Sequence, residues 1–173
     1  GKLYNIPVVS FRCFNVYGPR QSLSNPYTGV TAIFISRLKN NHQPVVYEDG
    51  QQSRDFVSIH DVVRVLILAM EKEKANYEAM NIGSGKSISI KEVARILAKL
   101  LKKDISPRIN REFRKNDIRH CFADISKAKR VLGWNPQISL EEGMKELIVW
   151  SEKEKSVDLF EKAEEELRRK KLL

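Results

Sequence analysis

The chain is 173 residues and 20.0 kDa, long enough for one domain with a sizeable core and too short for two ordinary ones. Hydrophobic residues make up 42% and charged residues 31%, a balance that excludes a disordered chain; the apolar stretch around Val65 to Met70 is far short of the roughly 20 residues a membrane span needs. The net charge of +9 is concentrated in residues 91–130, which carry +8, and this points to anionic partners.

Ile6 to Cys13 is a short apolar run with β-branched residues and reads as a buried strand. Asn15 to Gly29 reads as a long loop, with Asn25-Pro26 as a turn signal. A helix is expected over Val30 to Asn40, with Ile33, Phe34 and Leu38 on one side. Two strands, Val45 to Glu48 and Arg54 to Ile59, flank the Asp49-Gly50 turn. Val62 to Met70 is apolar nearly all round and predicts a helix covered on most sides. Ala79 to Ile82 is a further strand, followed by a Gly83-Ser84-Gly85 loop. Ser89 with Glu92 predicts a capping box, opening a helix whose core stripe is Ile90, Val93, Ala94, Leu97 and Leu101. Asp124 heads a helix from Ile125 to Leu132 that stops at Gly133, and Leu140 to Trp150 is amphipathic. From Ser151 the pattern thins into a charged helix ending in Arg168, Arg169, Lys170 and Lys171. Alternating strands and helices predict an α/β architecture.

Several features exclude other chemistry. Gly83-Ser84-Gly85-Lys86-Ser87 resembles the end of a phosphate-binding P-loop, but Met80 stands where that motif needs its first glycine. No Gly-x-Gly-x-x-Gly occurs. Cys13 and Cys121 lie far apart without Cys-x-x-Cys, so neither a disulfide framework nor a zinc site is expected, and a reducing, cytoplasmic setting fits. His42, His60 and His120 lack metal-ligand spacing, and no metal site is expected. No signal peptide is read in Gly1 to Pro7. Lys91, Arg95, Lys99, Lys102 and Lys103 flank an apolar stripe and read as a solvated helix face. Arg108, Arg111, Arg114 and Arg119 instead sit among strand-like and loop-like residues. No nucleic-acid motif accompanies the charge, and no nucleic-acid or membrane partner is expected.

Five segments carry a more specific pattern. They are Arg12-Cys13-Phe14-Asn15-Val16-Tyr17-Gly18-Pro19-Arg20-Gln21; Tyr47-Glu48-Asp49-Gly50-Gln51-Gln52-Ser53-Arg54-Asp55-Phe56-Val57; Asn81-Ile82-Gly83-Ser84-Gly85; Arg114-Lys115-Asn116-Asp117-Ile118-Arg119; and Leu132-Gly133-Trp134-Asn135-Pro136. In this order they resemble the C-terminal half of the extended short-chain dehydrogenase/reductases, the NAD-dependent nucleotide-sugar epimerases and dehydratases. The resemblance covers residues 1–150. It is strongest to the dTDP-L-rhamnose 4-epimerases and next to the UDP-glucose 4-epimerases. It implies the substrate-binding half of an extended Rossmann-type fold, lacking most of the dinucleotide-binding sheet. Residues 151–173 fall outside the resemblance, as a peripheral or docking helix.

The resemblance implies that Arg54 and Arg114 hold the diphosphate of a dTDP- or UDP-sugar. This agrees with the way guanidinium groups bind phosphate oxygens. An ion pair of Arg54 with Asp55 or Asp61, and a solvated charge at Arg114, are the alternatives. Asn15 is implied to contact diphosphate or sugar, unless it only caps a turn. Phe14 and Val16 are implied to stand beside the nicotinamide of the cofactor. Val30 and Tyr47 are implied to line the base pocket, Asp117 to meet the ribose or steady the arginines, and Asn81 to touch substrate or hold its loop. The Arg-Pro-Gly-Asp usual in the family is Arg114-Lys115-Asn116-Asp117 here. The family's catalytic Tyr-x-x-x-Lys is absent, because four residues after each tyrosine stand Val8, Gln21, Thr31, Gln51 and Asn81. No catalytic residue is therefore expected in this chain. The expected role is the substrate-binding part of a 4-epimerase that uses NAD, with a complementary N-terminal half as the expected partner, whether the chain is a fragment or a separately made half. A 4,6-dehydratase of the same family and a non-catalytic nucleotide-sugar-binding protein are the alternatives.

Overall fold

The computed structural model describes residues 1–25 and 29–173. Pro26, half of the Asn25-Pro26 turn signal, lies outside the described residues with Tyr27 and Thr28. Short strands alternate with helices: β1 (Ser10–Cys13), β2 (Asn15–Tyr17), α1 (Val30–Lys39), β3 (Val45–Val46), β4 (Ser53–Arg54), β5 (Phe56–Ser58) and α2 (Ile59–Glu71). After a 3-10 turn at Glu73–Ala75 come β6 (Ala79–Ile82), β7 (Ile88–Ser89), α3 (Ile90–Leu100), β8 (Arg108–Ile109) and β9 (His120–Cys121). Three helices close the chain: α4 (Ser126–Leu132), α5 (Leu140–Glu152) and α6 (Phe160–Arg169). β1 pairs with β6, β2 with β5 and β3 with β8, all parallel, while β4 lies between antiparallel β7 and parallel β9.

The strand expected from Ile6 begins only at Ser10, and the expected loop at Asn15 is a strand instead. The cause is a change of partner. Phe14 N still donates to Ile82 O of β6 at 2.9 Å, and Asn15 N then donates to Asp55 O at 3.0 Å, which moves the chain onto β5. This pairing over 40 residues leaves no local signature in a three-residue strand.

The helix expected at Val62–Met70 is present as α2, but it is not covered on most sides. Val62, Val65 and Ala69 are buried, whereas Val63, Leu66, Ile67 and Met70 are exposed, Met70 by 87%. Only one stripe of a 3.6-residue repeat can meet the single layer beneath it. Ser89 caps α3 by accepting from Glu92 N, but the Glu92 carboxylate turns to Arg95 at 3.6 Å, so the reciprocal box is incomplete there. The complete box is at Ser139 and Glu142, at the start of α5. The helix expected from Ile125 starts at Ser126, with Asp124 Oδ1 accepting from Ser126 N at 2.9 Å. It ends at Gly133, which adopts a φ of 63°. The single charged helix expected from Ser151 is divided, since α5 runs on to Glu152 and α6 starts afresh at Phe160.

Two apolar clusters result. One gathers α1, α3 and α5 around Phe34, Ile35, Leu38, Leu97, Met144 and Leu147. The other lies between β6, α2 and α4, around Val65, Met80, Ile82, Leu132 and Trp134. No helix among the described residues is long and apolar enough to cross a membrane.

Candidate functional site

Asp55 ties the Gly83-Ser84-Gly85 loop to Ala123 and sets the geometry of the site. It follows β4 directly and is fully buried. Its carboxylate accepts from Ser84 N (2.6 Å), Ser84 Oγ (2.6 Å), Gly85 N (2.9 Å) and Ala123 N (3.1 Å). The amides of Ser84 and Gly85 are thus already used by an anion of the chain itself, which accounts for a P-loop-like segment with no phosphate role. A Cβ at Gly83 would lie 2.5 Å from Asp55 Oδ2 and 2.6 Å from Ala123 Cβ, so only glycine lets the loop approach this closely.

With β4 fixed in this way, Arg54 projects into a cavity of about 330 Å³ between β3, α1 and α6. That size lies within the range of small-ligand sites. Its floor is apolar, from Val30, Ile33 and Phe34 of α1 and Val45 and Val46 of β3. Its other end is charged, with Asn15, Arg54, Arg114 and Asp117. Arg54 Nη2 donates to Asp117 Oδ1 at 2.7 Å, and Arg114 Nη1 lies 3.9 Å from Asp117 Oδ2. One carboxylate therefore holds both guanidinium groups at the same mouth. The partner of Arg54 is Asp117, not Asp55 or Asp61, whose carboxylates serve the Gly83–Gly85 loop and the amides of Gln137 and Ile138. Arg114 also stands over the Tyr47 ring, 5.9 Å from its centroid. Burial and the nearby Glu164 carboxylate push the Tyr47 phenol up to about 12. Behind it, Arg119 bridges Glu48 (2.5 Å) and Asp49 (2.6 Å) and braces the β3–β4 loop.

Asn15, Val30, Tyr47, Arg54, Arg114 and Asp117, drawn from four separate stretches of the chain, meet at this one cavity. Asn81 does not reach it: Arg12 Nε donates to its Oδ1 at 2.7 Å, and its Nδ2 donates to Asp124 O. Phe14 borders a second, open cleft beside Cys13, Asn15 and Asp117. Val16 packs against the second apolar cluster.

Two sets of lining residues escaped the sequence reading. Gln52 is 7% exposed; its Nε2 donates to Tyr47 O at 3.0 Å, while its Oε1 is the one buried side-chain polar atom without a partner among the described residues. It stands two positions before Arg54, so its place in the motif was the available signal. The other set is in the tail, where Phe160, Ala163, Glu164 and Leu167 of α6 form a wall of the cavity. Their spacing of i, i+3, i+4 and i+7 is an inward stripe, masked by the charges around it. His42, Asp158 and Glu161 also lie close together, but the Arg37 guanidinium already binds both carboxylates, at 3.2 and 2.8 Å, which opposes a metal cation there.

The family model for GDP-mannose 4,6 dehydratase matches residues 1–147. The chain is 43% identical over 145 residues to dTDP-L-rhamnose 4-epimerase of Burkholderia thailandensis, a match over 83% of this chain and 39% of that protein. The solved UDP-glucose 4-epimerase of Thermotoga maritima with UDP-glucose superposes with a TM-score of 0.80 at 38% identity, over 88% of this chain and 48% of that one. The UDP-glucuronic acid 4-epimerase of Bacillus cereus, in complex with UDP-glucuronic acid and NAD, gives 0.77 at 30% identity, over 87% and 47%. The chain thus spans about half the length of the relatives it matches, and its α/β architecture is part of their Rossmann-type fold. It belongs to the GDP-mannose 4,6 dehydratase family, which includes NAD-dependent nucleotide-sugar epimerases.

Proposed function

We propose that the cavity binds the nucleoside diphosphate of a dTDP- or UDP-sugar and that the chain is the substrate-binding portion of an NAD-dependent nucleotide-sugar 4-epimerase. The observation that carries this is the pairing of Arg54 and Arg114 through Asp117 at the mouth of a cavity with an apolar floor. Two fixed guanidinium groups match a diphosphate bridge, and an apolar slot beside an aromatic ring matches a base. In this arrangement Val30 and Tyr47 flank the base, Arg54 and Arg114 hold the diphosphate, and Asn15 faces the sugar. Asp117 orients both arginines.

These residues do not by themselves hold NAD. The glycine-rich fingerprint and Tyr-x-x-x-Lys are absent, the amides of Ser84 and Gly85 are taken by Asp55, and only Phe14 of the cofactor-side residues borders an open cleft. Hydride transfer at C4 therefore belongs to the cofactor in a complete enzyme, with this chain positioning the substrate. A complementary half is the partner that fits the open side of the molecule. There, among the described residues, β1 pairs on one edge only, and Leu66, Ile67 and Met70 of α2 are uncovered.

Calorimetric titration with dTDP and UDP at two salt concentrations tests the proposal. Saturable binding that weakens with salt and falls about 10- to 100-fold in Arg54→Ala is expected from loss of a charge-assisted bond. Equal binding by the variant contradicts the assignment of the diphosphate to Arg54. The base bound more tightly separates the two epimerase branches.

A further inference from the structure

The inward face of α6 contains an anomaly. Three of its four cavity-lining positions are apolar, Phe160, Ala163 and Leu167, and the fourth is Glu164. The Glu164 side chain is only 17% exposed, and its contacts are long, 3.4 Å from Tyr47 Oη and 3.7 Å from Arg168 Nη2. Tyr47 Oη donates to it and Arg168 pairs with it, but only at these distances, so a largely desolvated carboxylate is left without a short bond. Other acidic groups of the tail have one: Arg37 Nη1 donates to Glu161 at 2.8 Å, and His42 Nδ1 lies 2.7 Å from Asp158.

The tail is also held firmly enough to present that carboxylate. Arg37 stacks on the Phe160 ring at 4.4 Å, Val157 N donates to Ser24 Oγ at 3.0 Å, and Ser156 Oγ donates to Ser36 Oγ at 2.7 Å. Arg168 Nη2 reaches Glu112 at 2.7 Å, and Lys115 N donates to Leu172 O at 2.8 Å. These contacts fasten both ends of α6 to the body of the protein.

We propose that α6 is a base-reading wall of the nucleotide cavity, with the Glu164 carboxylate accepting the imide N–H of a uracil or thymine. This rests on the cavity being the nucleotide site. The apolar face of α6 lines the same cavity as α1, and Glu164 lies 3.4 Å from the hydroxyl of Tyr47, the ring that Arg114 also borders, so a base set against Tyr47 by a diphosphate on Arg54 and Arg114 comes within reach of Glu164. Uracil and thymine carry a hydrogen at N3, whereas cytosine carries a lone pair there that a carboxylate repels. Glu164 thus selects for the imide bases by attraction and against cytosine by repulsion.

The test uses the full chain, titrated with UDP, CDP and inorganic pyrophosphate. The wild type is expected to bind UDP about 10- to 100-fold more tightly than CDP. In Glu164→Gln, whose amide both donates and accepts, that ratio shrinks at least about tenfold while pyrophosphate affinity stays unchanged. In Ala163→Leu, which fills the wall, UDP affinity falls and pyrophosphate affinity does not. Thermal unfolding of each variant confirms that it is folded. Equal binding of UDP and CDP by the wild type, or an unchanged ratio in folded Glu164→Gln, overturns the role of Glu164 and leaves the nucleotide site standing. Absence of binding by all three ligands overturns the site and this inference together.

Discussion

The two apolar clusters of this molecule differ in what covers them. The cluster around Phe34, Leu97 and Met144 is closed on its sides by α1, α3 and α5, and the tail helix α6 walls the cavity beside it. The cluster around Met80, Ile82 and Trp134 is open. The chain before β1 exposes Leu3 by 84%, Tyr4 by 75% and Ile6 by 56%, and α2 exposes four apolar side chains beside it. The first region is packed on its sides, and the second leaves a group of apolar side chains exposed. Burial is worth about 25 cal/mol per Å² of apolar surface, so covering the open side contributes stability that the chain alone lacks. Under the proposed function, nucleotide recognition falls to the closed region and cofactor chemistry to whatever meets the open one.

The largest disruption of this arrangement is expected at Asp55, which ties the Gly83–Gly85 loop to Ala123. Asp55→Ala leaves the part-buried amides of Ser84 and Gly85 and the buried amide of Ala123 without their acceptor. It should destabilise the chain by at least about 3 kcal/mol, measured by urea unfolding. A loss below about 1 kcal/mol would mean that the loop finds other partners. Next in size is Arg114→Ala, which leaves Arg54 paired with Asp117 and should weaken UDP binding by about 1–2 kcal/mol without lowering the unfolding midpoint. Unchanged affinity would remove Arg114 from the site.

Smaller still is the effect of Leu66→Gln with Ile67→Gln on the open side. Stability should change by less than about 0.5 kcal/mol, while binding of a hydrophobic dye drops and UDP affinity holds. A large loss of stability would show that this face is already covered. The smallest effect concerns alkaline pH. The Tyr47 phenol titrates near 10 in the unfolded chain and near 12 in the folded one, so its stabilising contribution is complete below pH 10 and is lost as pH rises toward 12. Tyr47→Phe should flatten the decline of stability over that interval, measured by unfolding at pH 9, 10 and 11. Tyr17, also raised by burial, keeps part of the slope in either protein. An identical decline would place Tyr47 in a more open setting.

The sequence disclosed those elements whose signals are local. The α3 stripe, the Gly133 stop and the Asp49-Gly50 turn follow from spacing and backbone preference alone. Arg54, Arg114 and Tyr47 were legible because they sit in recognisable motifs. What stayed hidden depends on contacts distant in sequence. β2 exists because Asp55 receives Asn15 N across 40 residues, and the tail belongs to the cavity because Ser36 and Asn40 bind Ser156 and Val157 across more than 110. Glu164 looks like one more solvated acid in a run of acids until α6 is docked. The exposed half of α2 was unreadable for another reason: apolarity around a helix marks what it can bury, and does not say whether the covering surface is in the same chain.

The most direct test of this division is a backbone-amide NMR titration of the chain with UDP. Shifts confined to the cavity, at Tyr47, Arg54, Arg114 and the amides of α6, with α2 and β1 unmoved, are the predicted result. Shifts centred on α2 and β1, or none at all in a folded chain, would contradict the claim that this half recognises the nucleotide on its own.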